Sequence, residues 1–308
     1  MEENKYVYGP VPSRRMGISL GISPIKEKSC SYSCIYCQLG RTKNMMYERA
    51  EFVNINDVIN EFKMCLKENI KFDVVTIVGE GEPTLFSRLE ELIDEVKKLT
   101  DKPIAVITNG SLLFDECVRN ALKKADLVLP SLDAGNEEMF IKINRPHGRI
   151  KFKNVIYGLK KFANEYDGQL WMETMIVKGF NDSEKELLDI KKILDSIKYD
   201  RLYVNTPVRP PAEEYAKEPS DEGLERALSI LGGISIDKLV SKGFYSDTKD
   251  DLEAIISIIS RHPMNNFEIK SFLETRECEN IENIFSKLNN DASIEKIEYK
   301  NYTTYRIK

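Results

Sequence analysis

Between about residue 18 and residue 208 the chain alternates short apolar, β-branched runs with segments of helical length, six times over. "SLGISPI" reads as a strand, and "VINEFKMCLKENI" as a helix, because Ile59, Phe62, Cys65 and Leu66 recur at helical spacing. "DVVTIVG", "IAVITN", "DLVLPSLD", "QLWMETMIV" and "RLYVNTPV" read as the next strands. The segments "LEELIDEVKKL", "FDECVRNALKKA", "NVIYGLKKFANE" and "SEKELLDIKKILDSI" lie between them as helices. Buried apolar strands separated by helices are parallel strands with crossover connections. The fold class is therefore α/β, read as a partial (β/α)6 barrel of parallel strands. The pattern alone leaves an open sheet as the alternative.

In either architecture, the loops leaving the C-terminal strand ends form the active face. The loop with three cysteines follows the first strand, "GEGEPT" the second, "NGSL" the third, "DAGN" the fourth and "VRPP" the sixth. The unusual residues thus fall on one rim. The connector "VRPPAEEYAKEPSDEG" is rich in proline and charge and carries some helix. Beyond about residue 250 come three short helices, "DLEAIISIISRH", "NNFEIKSFLE" and "ENIENIFSKLNN". A closing hairpin turning at Lys300–Asn301 completes a small winged-helix-like module. The expected division is a barrel with N-terminal arm and connector over 1–245, and the C-terminal domain over 246–308.

Charge narrows the partners. The chain has 45 basic and 50 acidic residues, and proteins that live on nucleic-acid phosphates are usually basic. From Asp250 to Lys308 there are eleven acidic and eight basic residues. The helix that would enter a major groove, "ENIENIFSKLNN", carries two glutamates and one lysine. This argues against duplex DNA and for a lid, a protein contact or a peptide-binding wing. No signal peptide or long apolar run is seen, so the expected location is cytoplasmic with no membrane partner. Three of the six cysteines are scattered: Cys65 and Cys117 on apolar helix faces, and Cys278. That usage suits a reducing compartment and a metal site better than disulfides.

The clustered cysteines, Cys30, Cys34 and Cys37, are spaced C-x3-C-x2-C. A structural zinc site takes four ligands, and the fourth would have to be His147, His262 or a distant cysteine. An iron–sulfur cube also usually takes four thiolates, so three leave one iron open to bind a substrate.

This spacing, with the aromatic Tyr36 before the last cysteine, resembles the signature of the radical S-adenosylmethionine (SAM) enzymes. The resemblance covers about residues 18–208. It implies a [4Fe–4S] cluster on the three cysteines and SAM on the open iron. "GEGEPT" looks like the family's Gly-Gly-Glu motif, with Gly79, Gly81 and Glu82 as the nearest matches and Glu80 a departure. In that role, backbone carbonyls and Glu82 would hold the SAM ammonium. Asn109, Ser131 and Asp133 stand where polar contacts to ribose and carboxylate are expected, and Val208 where adenine would pack. "VYGPVPSRRMGISLG", "CIYCQLGRT", "GEGEPT" and "INRPH" together resemble the branch related to the tRNA wyosine-base synthases. Those enzymes use extra cysteines before the main motif for a second cluster, and none precedes Cys30 here. One cluster is expected.

The implied reaction is reductive cleavage of SAM to methionine and a 5′-deoxyadenosyl radical, which removes hydrogen from a substrate. An electron donor such as flavodoxin or ferredoxin is implied. Arg14, Arg15, Arg41, Arg145, Arg149 and Arg209 gather near the rim with His147. Guanidinium forks suit phosphate or carboxylate, so the substrate is expected to be anionic: a small molecule, RNA or a protein. Two other classes stay open: a maturation or activating enzyme acting on a protein partner, and an iron–sulfur sensor with a winged-helix regulatory domain.

Overall fold

Two strands, β1 (Val7–Ser13) and β2 (Gly17–Ile22), open the fold as an antiparallel pair. β1 occupies what the sequence offered only as an arm, and its Pro10 and Pro12 are tolerated because it is an edge strand. The turn between them carries Arg14 and Arg15. β3 (Ser29–Cys30) pairs in parallel with β4 (Asn44–Met45) and closes the cysteine loop at its base. α1 (Ile55–Lys67) begins at Asn54, whose side chain accepts from the Asn56 N–H. Then follow β5 (Val74–Ile77), α2 (Leu89–Lys97), β6 (Ile104–Thr108), α3 (Glu116–Leu122) and β7 (Leu127–Pro130). Two helices follow β7, α4 (Glu137–Asn144) and α5 (Phe152–Glu165), of which the sequence pattern yielded only the second. β8 (Gln169–Met175), α6 (Glu184–Leu194), β9 (Arg201–Asn205), α7 (Asp221–Leu231) and β10 (Ile234–Ser235) complete the sheet. The computed structural model describes residues 6–26, 28–68, 70–236, 244, 246, 248–299 and 302–308.

The strand order is β1-β2-β5-β6-β7-β8-β9-β10, parallel from β2 onward. Among the described residues β1 and β10 do not pair with each other, so the barrel is partial. Side chains alternate along each strand. One set, including Leu20, Val75, Val106, Val128 and Val204, packs on the helices. The other, including Val74, Ala105, Leu129, Trp171, Tyr203 and Ile236, meets inside the curved sheet. Both faces are largely buried, which is why these strands read as continuous apolar runs.

The C-terminal unit runs α8 (Asp251–Ile259), β11 (Met264–Asn265), α9 (Asn266–Thr275), α10 (Ile281–Asn290), β12 (Ile294–Tyr299) and β13 (Tyr302–Ile307). Its antiparallel sheet is ordered β11-β13-β12, which is winged-helix-like. α9 starts on a reciprocal capping box between Asn265 and Glu268. The unit's core, with Ile255, Ile259, Phe272 and Tyr305, also takes in Tyr8 and Val11 of β1. The hairpin turn at 300–301 and residue 245 at the expected boundary lie outside the described residues. No helix among the described residues is long and apolar enough to cross a membrane.

Candidate functional site

The cysteine loop is held by the helix that the sequence pattern did not reveal. α4 ends at Arg145 in the left-handed conformation (φ 45°), leaving its last carbonyls unpaired within the helix. The loop satisfies them: Ser33 N–H donates to Asn144 O at 3.0 Å and Ile35 N–H to Ile143 O at 2.9 Å. Within the loop, Cys37 N–H donates to Cys34 O and Gly40 N–H to Cys37 O, each at 3.1 Å. Asn144, absent from the sequence-derived site, donates its amide to Cys34 Sγ at 3.5 Å and to Asp133 Oδ2 at 2.7 Å. The signal was present as Asn136, an N-cap followed by two glutamates and an apolar stripe at helical spacing.

Asp133 is the hub of this corner. Its Oδ2 accepts from Tyr36 OH at 2.5 Å and from Asn144, and its Oδ1 from Met175 N–H at 2.9 Å. Burial pushes its carboxyl above the usual range, and these three donors pull against that shift. Tyr36 is thereby fixed beside the last cysteine. Asp133 and Tyr36 bind each other, and Asp133 also borders a small interior gap.

Glu82 plays the same part for the next two loops. Its Oε1 accepts from Thr84 N–H at 3.0 Å and from the Thr84 and Thr108 hydroxyls, each at 2.6 Å. Its Oε2 accepts from Asn109 N–H at 2.7 Å. Three donors converge on Oε1 and one on Oε2, so Oε2 keeps acceptor capacity. Burial raises the Glu82 carboxyl against those donors. The glycines ahead of it admit a neighbouring loop: a Cβ at Gly81 would stand 1.8 Å from the Ser29 carbonyl oxygen, and one at Gly79 would stand 2.1 Å from Ser23 Oγ. Glu82 N–H donates to that same Ser29 carbonyl at 3.1 Å. The motif therefore presses against the strand that carries Cys30. Asn109 sends its amide to Cys30 Sγ at 3.5 Å and to Ser31 Oγ at 3.0 Å. Ser131, Asn109 and Asp133 border a small interior gap, whereas Val208 lines a different, larger cavity inside the barrel mouth.

The cationic residues divide. Arg41 forks onto Glu213 at 2.8 and 2.9 Å, and Arg145 reaches the same carboxylate at 2.5 Å and Tyr215 OH. Arg149 pairs with Glu48 at 3.0 Å, and His147 stacks on Tyr47 at 5.7 Å. These hold loops together. Arg14, Arg15 and Arg209 instead line the larger cavity, with Arg15 ion-paired to buried Glu173. Cys65 is buried, but Cys117 is exposed, which corrects its placement on an apolar face.

Three thiols can hold a cluster if their protons leave and donors support the sulfurs. Burial pushes the Cys30 thiol to about 12, with the Glu82 charge adding to it. It raises Cys34 well above its ordinary value, with help from Asp133, and it raises Cys37 as well. Bound iron would replace those protons. Each sulfur has an N–H donor: Asn109 for Cys30, Asn144 for Cys34 and the Leu39 backbone for Cys37. Donors of this kind tune and orient sulfur ligands. Among the described residues no three His, Cys, Asp or Glu groups converge as ligands of a single metal ion. The two histidines are engaged elsewhere, His262 with Arg209 at 2.8 Å. Three half-buried thiols on one loop, two of them facing a side-chain amide, suit a thiolate-held group.

Comparison with known proteins bears on the same residues. Residues 28–190 match the Radical SAM superfamily. A UPF0026 protein of Methanocaldococcus jannaschii is 37% identical over 309 residues, which are 97% of this chain and 94% of that protein. A protein named GTPase Obg of Brachyspira hyodysenteriae is 41% identical over 266 residues, covering 85% of this chain. The match spans only 39% of that relative. In fold, the chain resembles the structure titled "Structure of TYW1 with a lysine-pyruvate adduct bound", with a TM-score of 0.52 and 18% identity. That match covers 69% of this chain and 72% of the other.

Proposed function

The chain belongs to the Radical SAM superfamily, whose cofactors are a [4Fe–4S] cluster and SAM, and we propose that Cys30, Cys34 and Cys37 hold that cluster in an enzyme that abstracts hydrogen from an anionic substrate. The observation that carries this reading is the set of three thiols, each with its own N–H donor, on a loop clamped at the barrel rim. When bound, the cluster supplies one low-potential electron that cleaves SAM to methionine and a 5′-deoxyadenosyl radical; cluster potentials reach about −700 mV.

The chain's residues position and shield. Asn109 and Asn144 donate to the sulfurs, and Asp133 fixes Tyr36 and Asn144. Glu82 ties the loops after β5 and β6 together, so its proposed contribution to the SAM ammonium is placement of the surrounding backbone. Val208, on the larger cavity, keeps its proposed place against adenine. The electron would come from a protein donor such as flavodoxin or ferredoxin, in a reducing compartment that suits six free cysteines.

Anaerobic reconstitution with iron and sulfide, followed by EPR of the reduced protein with and without SAM, tests the proposal. A [4Fe–4S] signal that shifts on adding SAM, with formation of 5′-deoxyadenosine, is expected. Cys34→Ser should abolish both. Stable uptake of zinc with no SAM-responsive signal, or normal SAM cleavage by Cys34→Ser, would refute the assignment.

A further inference from the structure

The three thiols do not share one electrostatic environment. Cys30 is within reach of the buried Glu82 carboxylate and Cys34 within reach of buried Asp133, and each of these charges disfavours the thiolate beside it. Cys37 has the opposite neighbours. Among the described residues, the charges that act on it are those of Lys28 and Arg306, and both favour its thiolate against the cost of burial.

Arg306 belongs to β13 in the C-terminal unit, 268 positions beyond Gln38. Its Nη1 donates to the carbonyls of Gln38 at 3.3 Å, Pro210 at 3.0 Å and Pro211 at 3.3 Å. Gln38 follows Cys37 directly in the chain. Lys28, from the start of the cysteine loop, reaches the same strand: its Nζ donates to Ile307 O at 3.1 Å. The two cations meet at Gly40, whose N–H donates to Cys37 O at 3.1 Å. A Cβ on Gly40 would stand 3.6 Å from both Arg306 Cζ and Lys28 Nζ. The last strand of the chain is thus laid across the turn that carries the third cysteine.

Arg306 does have a carboxylate partner, Glu295 of β12, at 2.8 Å from its Nε. The pair is lopsided. The Arg306 side chain is 7% exposed and that of Glu295 is 41% exposed. Water screens the outer charge more than the inner one, so the guanidinium is felt more strongly inside the protein. Anchoring alone does not call for a buried cation here. The C-terminal unit is fastened to the barrel elsewhere, by Arg209 forking onto Glu268 with both contacts at 3.1 Å and by Tyr299 donating to Pro207 O. The potential of an iron–sulfur cluster follows the charge around it, the hydrogen bonds to its sulfurs and its exposure. A positive charge held in a dry place favours the form that carries an extra electron.

We propose that the C-terminal unit is part of the redox machinery: Arg306, together with Lys28, raises the reduction potential of the cluster held by Cys30, Cys34 and Cys37, and so eases its reduction by the protein donor. One electron passes from that donor to the cluster and on to SAM, and Arg306 neither gains nor loses one. Arg306 touches the loop and not the reacting atoms, so it is a positioning residue. A C-terminal unit that lifts off the barrel takes this cation with it, and electron delivery then requires the two parts to be docked. This deepens the radical SAM reading and rests on it for the cluster itself.

The test is a dye-mediated redox titration of the reconstituted full chain, followed by the EPR signal of the reduced cluster. Iron per chain and Tm are recorded alongside. Arg306→Gln should move the midpoint to more negative potential, and Lys28→Gln should move it the same way. Glu295→Gln, which leaves the guanidinium without its outer partner, should move it the other way. Arg306→Lys keeps the charge and should stay closer to the unaltered protein than Arg306→Gln does. Tyr299→Phe removes one hydrogen bond to the barrel and no charge, and should leave the midpoint in place. If Arg306→Gln fails to fold or to take up iron, Lys28→Gln and Glu295→Gln carry the test. Midpoints that ignore these charges overturn the proposal. So does an Arg306→Lys midpoint as low as that of Arg306→Gln, or an equal shift in Tyr299→Phe, because docking and not charge would then be the cause. A SAM-responsive cluster whose midpoint ignores Arg306 and Lys28 sinks this inference alone. A cluster that follows both charges yet does not respond to SAM sinks the cofactor assignment alone, and a chain that assembles no cluster sinks both.

Discussion

Gly81→Ala isolates the contact on which the cysteine loop depends. Gly81 has no positive φ, so an alanine there carries no conformational penalty and the whole cost is steric. Its Cβ would stand 1.8 Å from Ser29 O and 2.7 Å from Ile25 Cγ2. The first is a backbone atom, held in turn by the Glu82 N–H at 3.1 Å, and it cannot rotate away. The loops must part by more than an ångström, losing that hydrogen bond at about 1 kcal/mol. Overpacking adds about 1–3 kcal/mol. The expected loss is therefore about 2–4 kcal/mol, which in a chain of this size lowers Tm by several degrees. Because Ser29 adjoins Cys30, iron incorporation should fall with it. The matched control is Gly148→Ala, where a Cβ meets nothing within 4 Å. It should be neutral or slightly stabilising. Thermal unfolding and bound iron per chain are the measurements. If Gly81→Ala melts and binds iron like Gly148→Ala, the glycine does not serve loop contact and the reasoning fails.

Tyr36→Phe removes one of three donors from buried Asp133 and should cost about 1.5–3 kcal/mol, measured by urea unfolding. Glu82→Gln turns an acceptor-only group into one with an N–H facing existing donors; Tm should fall, and a variant with unchanged Tm that lost only SAM affinity would mean Glu82 binds the ligand directly. The Glu213 carboxyl is held below its usual range, first by its hydrogen bond from Arg41 and also by Arg145. A depressed folded pKa makes the stabilisation present above the unfolded value near 4.3 and lost as pH falls through the folded one. Since Arg41 is 71% exposed, Glu213→Gln should cost only about 1 kcal/mol at pH 7 and nearly nothing at pH 3, read from Tm across that range. Cys117→Ser, at an exposed position, should leave iron content unchanged.

The sequence shows the parallel sheet because strands buried on both faces carry their own signal. Val74–Ile77 and Leu127–Pro130 contain no exposed position. β1 was hidden because Gly9, Pro10 and Pro12 interrupt its alternation, and the pairing with β2 is irregular between Tyr8 and Val11. α4 has only 8 residues, and its N-cap sits in a loop that reads equally well as a ligand contact. The three cysteines were legible because they lie in one short loop. The fate of the arginines was not, because their partners are remote: Arg41 meets Glu213 172 positions away, and Arg209 meets Glu268 59 positions away. Helical counting also misplaced Cys117, which lies beside buried Val118 yet faces solvent.

Glu82 and Asp133 show how buried motif residues tie a rim together. A cofactor with fixed charges needs donors and carbonyls already aimed before it arrives, since loops that order on binding lose affinity. At a rim made of separate βα loops, nothing in the sheet itself fixes one loop against the next. A buried carboxylate does, because its acceptor sites lie a few ångströms apart and it is costly to leave unsatisfied. Glu82 collects the loops after β5 and β6, and Asp133 collects the cysteine loop, α4 and the end of β8. Each also places an amide on a sulfur: Asn109 follows from the first and Asn144 from the second. Two carboxylates thus set the directions of two thiols. Four arginines line the cavity at the barrel mouth: Arg14 and Arg15 between β1 and β2, Arg209 after β9, and Arg261 in the C-terminal unit. Changes at either carboxylate should therefore register in both iron content and Tm.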